Sequence, residues 1–391
     1  MPDPVPATGT VHWVGTGLST GSGLGLLAGD AQRVVLWGRR AERAEQHLAQ
    51  LGLTGRCEVR GLDADDLAGE LRPGDVVVSM LPATEHARLV RTCIAAGAHF
   101  ACSSYVSPEI EQEAAAAAEA GLVVLTEAGL DPGLDHLLAH VLVSRGTAAM
   151  PGTATAALTS YCGGVPAVAN EFRYRFSWAP LGVLTALLNP ARFIEDGKER
   201  VVERPWEVTA HRRIGGEDFE AYPNRDSVPF IGQYGLPDRW DILEFARGTL
   251  RLDGWYDAWR PVFAELVTAD RERLTELAAD LAARYPMTGD DHDRVVLEVS
   301  LTLRSAGAGT WSGRYLLDMT GDDEESAMAR CVSLPLAVAV LDVLSGRTPP
   351  GLHRATADPQ VAERWLAALA QHGIRCELDE TTGSEEPTAL G

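Results

Sequence analysis

A doubly wound parallel α/β sheet followed by a mixed α+β unit is the fold class this sequence predicts, on three observations. Within residues 11–126, short apolar runs take turns with Ala-, Leu- and charge-rich stretches of helical spacing. The first of those runs feeds a glycine-rich turn. After about residue 150 the runs lengthen and take up Thr, Tyr and Arg. Strand and helix in alternation imply a parallel sheet with helices on both faces. Longer, more polar strands suit a sheet with one solvated or ligand-facing side.

The predicted strands of the first part are VHWVG (11–15), RVVLWG (33–38), CEVRG (57–61), DVVVSM (75–80), HFACS (99–103) and LVVLTE (122–127). They read as unbroken apolar runs because both faces of a parallel sheet are buried. AERAEQHLAQL and TEHARLVRTCIAAG carry helical spacing between them. In the second part TATAALTSYCGG, DRVVLEVSLTLR and WSGRYLLDM predict strands, and 255–284 predicts two helices. Residues 324–346 predict a long helix interrupted near Pro335. Residues 358–372 predict one more, ending at Gly373. The chain after Cys376 has five acids and no base, which predicts a mobile tail. No internal repeat is visible.

Bulk properties exclude several functions. The 391 residues suffice for two domains, and 46% hydrophobic with 23% charged residues is ordinary for a globular chain. A formal charge of −21 argues against a nucleic-acid partner, which needs a basic face. The longest apolar stretches are broken by Gly, Pro or charge short of the roughly 20 residues a membrane span needs. MPDPVPATGT lacks the basic start and apolar run of a signal peptide, so a cytoplasmic location and no membrane partner are expected. The six cysteines (57, 93, 102, 162, 331, 376) are scattered without a C-x-x-C pair, so neither a metal site nor a disulfide framework is indicated.

The first strand runs into Gly15-Thr16-Gly17-Leu18-Ser19-Thr20-Gly21. A dinucleotide's diphosphate requires a tight turn and close backbone approach at a helix N-terminus, which Gly15 and Gly17 supply, with Leu18 and Ser19 following. The third glycine of G-x-G-x-x-G falls on Thr20, which should loosen the helix packing or shift the glycine to Gly21. Placed in the first βαβ unit, this turn reads as a Rossmann cofactor site rather than a plain turn. An NAD enzyme has an acid about 20 residues past the glycines for the ribose 2′-OH. Here the second strand ends in Arg39-Arg40. Two guanidiniums suit a 2′-phosphate, so the expected cofactor is NADP(H). The plain alternative is a pair of solvated arginines. Leu81, Pro82 and Ala83, after the fourth strand, are a candidate wall for the nicotinamide ribose. Asp63 is a candidate adenine contact or an exposed loop acid.

Six segments in order resemble the saccharopine reductases, the glutamate-forming saccharopine dehydrogenase family. They are GDVVVSMLPATEH (74–86), SSYVSPE (103–109), TEAGLDPGLDH (126–136), TSYCGGVPA (159–167), FSWAPLGVLTALLNPARFIEDGK (176–198) and EAYPNRDSVPF (220–230). The resemblance runs over about residues 11–350. It implies a Rossmann domain (1–135), a substrate-binding and dimerising α+β domain (136–350), a segment returning to the first domain (351–376), and the acidic tail (377–391). It implies reduction of an imine formed between an amino acid and an aldehyde or keto compound, reversibly and with NADPH. Primary metabolism and a specialised pathway both fit, and a homodimer is expected.

The resemblance also marks Tyr105, Asp131 and Cys162 as polar groups beside the substrate. Asp131 can stabilise a cationic iminium or move a proton. Asp131-Pro132-Gly133 equally reads as a helix N-cap followed by proline. Cys162 in isolation reads as a small core residue, and Tyr105 as a packing tyrosine. Arg225 is the candidate holder of a substrate carboxylate, assisted by Asn224, with a structural salt bridge to Asp226 or a neighbour as the alternative. Asp135 and His136 are further substrate-side candidates, with His136 a general base or a structural histidine. Leu181 stands where the family is expected to have arginine, which implies a less acidic substrate. Two other readings remain. One is a single-substrate amine dehydrogenase, such as lysine 6-dehydrogenase, or a carboxynorspermidine dehydrogenase-like enzyme. The other is a catalytically silent NADPH-binding module.

Overall fold

The structure, a computed structural model, describes residues 3–177, 180–288 and 291–383. The chain divides into two compact units. Unit 1 comprises Met1–His136, Met328–Thr356 and Arg364–Gly373. Unit 2 comprises Leu137–Ala327, Ala357–Glu363 and the chain from Ile374. The return to unit 1 therefore starts at Met328, earlier than the expected 351.

Unit 1 is built from β1 (Thr10–Val14), α1 (Ser22–Asp30), β2 (Arg33–Gly38), α2 (Ala41–Gln50), β3 (Glu58–Gly61), α3 (Ala64–Glu70), β4 (Val76–Ser79), α4 (His86–Ala96), β5 (His99–Cys102), α5 (Pro108–Glu119) and β6 (Val123–Thr126). The chain leaves it along α6 (Leu134–Ala149). All strand pairs are parallel, in the order β3-β2-β1-β4-β5-β6. This is the doubly wound Rossmann order, whose ligand crevice opens at the C-terminal ends of β1 and β4. β4, β5 and β6 are buried at every residue, as strands covered on both faces must be. Val14, Val35, Trp37, Val77, Phe100 and Val124 anchor one core layer.

Unit 2 adds β7 (Ala154–Pro166), α7 (Pro180–Leu187), β8 (Ala191–Glu195), β9 (Lys198–Val202), β10 (Ala210–Ile214), β11 (Glu217–Pro223), α8 (Pro229–Gln233), β12 (Trp240–Leu252), α9 (Trp255–Leu266), α10 (Arg271–Arg284), β13 (Asp293–Ser305) and β14 (Gly309–Thr320). The chain then forms α11 (Ala327–Leu344), β15 (Gly351–Arg354) and α12 (Pro359–Gln371), and ends its described part in β16 (Glu377–Gly383). The unit 2 sheet runs β10-β11-β12-β7-β13-β14-β16, with β8 and β9 joined at β12. Only β12 and β7 pair in parallel, so the sheet is mixed. β14 alternates buried and half-buried residues over most of its length, the pattern of a strand with one face on the core. Aromatic residues Trp206, Trp255, Trp259, Phe172 and Tyr174 form a second core against α7, α9 and α10.

Two expectations need correction. α11 continues unbroken through Pro335. It is the one helix, among the described residues, long and apolar enough to cross a membrane, and 78% of it is buried in the protein. That packing offsets the lost backbone bond of the proline. Residues 377–383, expected in the acidic tail, form β16 on β14. Arg314 and Arg145 meet Asp379 and Glu380 at 3.2 and 2.9 Å, so these acids have partners. The rest of the expected tail, 384–391, lies outside the described residues. In the segment expected to return to unit 1, β15 adds a seventh parallel strand beside β6.

Burial pulls the imidazole pKa of His12, His47, His86, His99 and His353, all in unit 1, below the ordinary 6.5. The unfolded chain then binds protons that the folded one refuses. Stability present above pH 6.5 is lost as pH falls through the lowered folded values. The midpoint of thermal unfolding is therefore expected to drop steadily from about pH 7.5 to about pH 5.5, with proton uptake on unfolding. Calorimetry in buffers of different ionisation heat measures both, and a flat midpoint would contradict the burial of these rings.

Candidate functional site

The glycine turn sits where β1, β2 and β4 end together. Gly15 takes φ +120°, and a Cβ there would lie 3.1 Å from the Met80 carbonyl carbon. Its N–H donates to the Trp37 carbonyl (2.9 Å), and Met80 N–H donates to Val14 (2.8 Å). Thr20, in the third glycine's place, ties the turn rather than loosening it. Its hydroxyl donates to the Gly15 carbonyl (3.2 Å), and its N–H donates to Gly17 (3.0 Å). The close approach falls on Gly23, not Gly21. A Cβ on Gly23 would lie 2.0 Å from the Ser333 carbonyl of α11, and its N–H donates to Ser333 Oγ (3.0 Å).

Gly17 behaves differently: a Cβ there would meet nothing within 4 Å among the described residues. The protein's own packing does not require glycine at 17, whereas a diphosphate approaching the backbone does. Gly21 caps α1 without a side-chain bond, and the first turn has no acid to oppose an anion there. Leu18 is 62% exposed, and Ser19 completes the rim of the turn.

Arg39 and Arg40 are exposed at the end of β2, and among the described residues neither guanidinium joins an ion pair. Most other arginines do; Arg33, for example, holds Glu58 with two bonds of 2.7 and 2.9 Å. That contact is the main cause that brings the Glu58 carboxyl down to about 2. Leu81, Pro82 and Ala83 form the loop after β4, at the same sheet edge. His86 Nε2 meets the Leu81 carbonyl at 3.0 Å, and burial lowers its pKa, so the neutral ring donates there and fixes the loop. Asp63 caps α3, accepting the Asp65 N–H at 2.9 Å. That bond engages one oxygen, and Asp63 stays exposed as a proposed adenine contact.

A second cluster in unit 1 follows β5 and β6. Tyr105 O–H donates to Asp131 Oδ1 at 2.7 Å. Both residues are half-buried, and Asp131 is the one residue between 121 and 143 that is not fully buried. Asp131 is not a helix cap: α6 starts at Leu134, and Asp131 lies in the loop before it. Asp135 and His136 were expected on the substrate side, and the structure corrects this. Both have 0% exposure and face inward. Asp135 Oδ1 accepts the Gly133 N–H (2.7 Å), and its other oxygen lies 3.4 Å from His136 Nδ1. His136 Nε2 lies 3.0 Å from Glu127 Oε2. Glu127 was missed in the sequence, where it reads only as the last residue of the strand run LVVLTE.

Unit 2 carries the remaining candidates. Cys162 is in β7, 8% exposed, in register between Thr249 of β12 and Leu297 of β13. Asn224 and Arg225 follow β11; Asn224 is half-buried and Arg225 exposed, with φ +57°. The alternative salt bridge is not the one Asp226 makes, because its two oxygens take Arg192 at 2.9 and 2.8 Å. The Asn224 N–H donates to the carbonyl of Arg247, a residue only 2% exposed whose guanidinium stacks 4.1 Å over Phe230. An arginine inside the strand ILEFARGTLRL gave no sequence signal beyond its oddity. Leu181, on α7, is 37% exposed.

The saccharopine dehydrogenase NADP-binding domain matches residues 11–125, and the saccharopine dehydrogenase C-terminal domain matches 129–374. A saccharopine dehydrogenase [NADP(+), L-glutamate-forming] from Pyricularia oryzae is 37% identical over 256 residues, 64% of this chain and 56% of that protein. The mitochondrial alpha-aminoadipic semialdehyde synthase of Bos taurus is 34% identical over 56% of this chain and 24% of its own length. The match thus spans about half or less of these relatives. The apo saccharopine dehydrogenase (L-Glu forming) from Saccharomyces cerevisiae superposes with a TM-score of 0.81 at 26% identity, covering 95% of this chain and 100% of that one.

Proposed function

The chain belongs to the saccharopine dehydrogenase family, and from that premise we propose that it reduces, with NADPH, an imine formed between an amino acid and an aldehyde or keto compound. The observation that carries this reading is the Tyr105–Asp131 hydrogen bond of 2.7 Å beyond the C-terminal ends of β5 and β6. Ligands of doubly wound sheets bind at that edge.

The chemistry asks little of the protein. A neutral amine adds to the carbonyl; the carbinolamine oxygen takes a proton and leaves as water; the iminium carbon then accepts hydride. Bound NADPH supplies that hydride. Gly15, Gly17, Leu18 and Ser19 hold its diphosphate, and Arg39 and Arg40 its 2′-phosphate. Leu81, Pro82 and Ala83 line its ribose. Tyr105 and Asp131 share one proton along their bond, so the pair can protonate the departing oxygen and afterwards balance the iminium charge. Cys162 serves as a contact or proton-transfer group, and Arg225 with Asn224 takes a substrate carboxylate through paired bonds. Exposed Leu181 offers no charge, which favours a partner less acidic than aminoadipate semialdehyde or glutamate. The reading includes a cytoplasmic location, and a homodimer carried by the resemblance.

The test is NADPH oxidation, followed by absorbance, against a panel of amino acids crossed with aldehydes and keto acids. Turnover is expected only when both an amine and a carbonyl are present. Oxidation with one component alone, or with no pair on a broad panel, would reject it.

A further inference from the structure

The Tyr105–Asp131 pair is formed by two loops that do not continue one another, and something must hold them in register. Tyr105 lies in the loop after β5, and Asp131 in the loop after β6. One buried chain of side chains joins the two loops. At one end Glu127 Oε1 accepts the N–H of Val106, the neighbour of Tyr105, at 3.0 Å. The Glu127 N–H also donates to Ser104 on the other side of Tyr105, at 3.0 Å. The other Glu127 oxygen meets His136 (3.0 Å), and His136 meets Asp135 (3.4 Å). At the far end Asp135 accepts the N–H of Gly133, two residues after Asp131, at 2.7 Å.

The second loop is closed on itself. Gly129 N–H donates to Pro132 and Leu134 N–H donates to Gly129, both at 2.9 Å. Gly133 takes φ +146°, and a Cβ there would lie 2.1 Å from the Gly129 carbonyl oxygen. A pull on the Gly133 amide therefore moves the whole loop with Asp131. Arg354 of β15 lies 3.7 Å from Glu127 and pairs with Glu111, steadying the first end. Glu127, His136 and Asp135 have 2%, 0% and 0% exposure, so they cannot reach a substrate directly. Satisfied buried polar chains rigidify what they connect, and partly satisfied ones do not.

We propose that Glu127, His136 and Asp135 are positioning residues that set the distance between Tyr105 and Asp131. The proposal rests on the catalytic reading of that pair for its effect on rate, but not for its effect on geometry. The test uses the full chain with tyrosines replaced by 3-fluorotyrosine, and the Tyr105 fluorine resonance assigned through Tyr105→Phe. Three variants are compared: Glu127→Ala, Glu127→Gln and His136→Gln. Fluorine shift, NADPH dissociation constant, kcat and KM are measured on each.

In Glu127→Ala the Tyr105 resonance is expected to move toward its position in Asp131→Ala. The NADPH constant should stay within about twofold, and kcat should fall about 10- to 100-fold with little change in KM, since sub-ångström to 1 Å misplacement costs that much. Glu127→Gln, which keeps an oxygen for Val106 and an amide for His136, is expected to restore most of both. His136→Gln, which keeps the Glu127 contact and cuts the Asp135 one, should move the resonance by an intermediate amount. A folded Glu127→Ala with an unmoved resonance overturns the proposal. Should Glu127→Ala not fold, an unmoved resonance in His136→Gln overturns it instead. If the wild type turns over no amine–carbonyl pair, the functional reading fails while the fluorine shifts still decide the positioning role.

Discussion

Asp131→Asn is expected to lower kcat by about two to four orders of magnitude, the usual range for a lost general acid–base group, while NADPH affinity stays unchanged. The substitution is isosteric, and the amide oxygen can still accept from Tyr105, so the 2.7 Å contact survives in shape. What disappears is a group that both takes and gives a proton, and the negative charge that balances an iminium. Tyr105→Phe removes the other half and should cost a similar factor. Because the two side chains handle one proton as a unit, the double variant should be little worse than either single one. Stopped-flow measurement of the hydride step in all four proteins closes the cycle. Additive losses would mean that the two residues act separately, and an unchanged kcat in Asp131→Asn would remove the pair from the chemistry. The half-buried setting makes the experiment clean: Asp131 is not part of the packed core around it.

Unit 1 was legible in the sequence almost to the residue because its physics is local. Runs such as RVVLWG (33–38) are buried on both faces, so hydrophobicity alone marks the strand, and β2 spans those residues. Unit 2 was legible in the long strands β7, β13 and β14 and in the helices α9 and α10, while the equally long β12 went unread. KERVV, AHRRI and EDFEAYP became β9, β10 and β11 without any apolar run. Their signal lay in the turns: Asp196-Gly197 and Gly215-Gly216 have positive φ at both residues, the type I′ hairpin pattern. Pro335 misled because a helix-breaking residue was weighed without the packing that buries α11. The residue types of the site were visible, but the roles of Asp135 and His136 were not. Burial and partners decide whether a polar side chain touches a ligand or holds a loop, and neither is written in one residue's neighbours. Glu127 shows the same limit from the other side, since only the fold brings it between Val106 and His136.

Replacing Arg39 and Arg40 together by serine is expected to weaken NADPH binding by about 100- to 1,000-fold, on the scale of two charge-assisted hydrogen-bond sites, and to leave NADH binding within about threefold. The arrangement at the end of β2 makes the effect specific. Neither arginine is committed to an acid among the described residues, so each is available to a phosphate without first breaking a pair. The rest of the protein works against this ligand: a chain with formal charge −21 repels a highly anionic nucleotide. At physiological salt that repulsion is screened beyond about 8 Å, whereas a guanidinium touching the 2′-phosphate is not. On the proposed reading, local cations decide the cofactor against the global field. Two consequences separate this account from a general loss of affinity. Adding salt should weaken NADPH binding to the wild type far more than to the double variant, and the NADPH-to-NADH preference should invert or vanish rather than both affinities falling together. Titration by nucleotide fluorescence at two ionic strengths measures both. Equal losses for the two nucleotides would show that Arg39 and Arg40 support the turn rather than read the phosphate, and the 2′-phosphate would then need another cation.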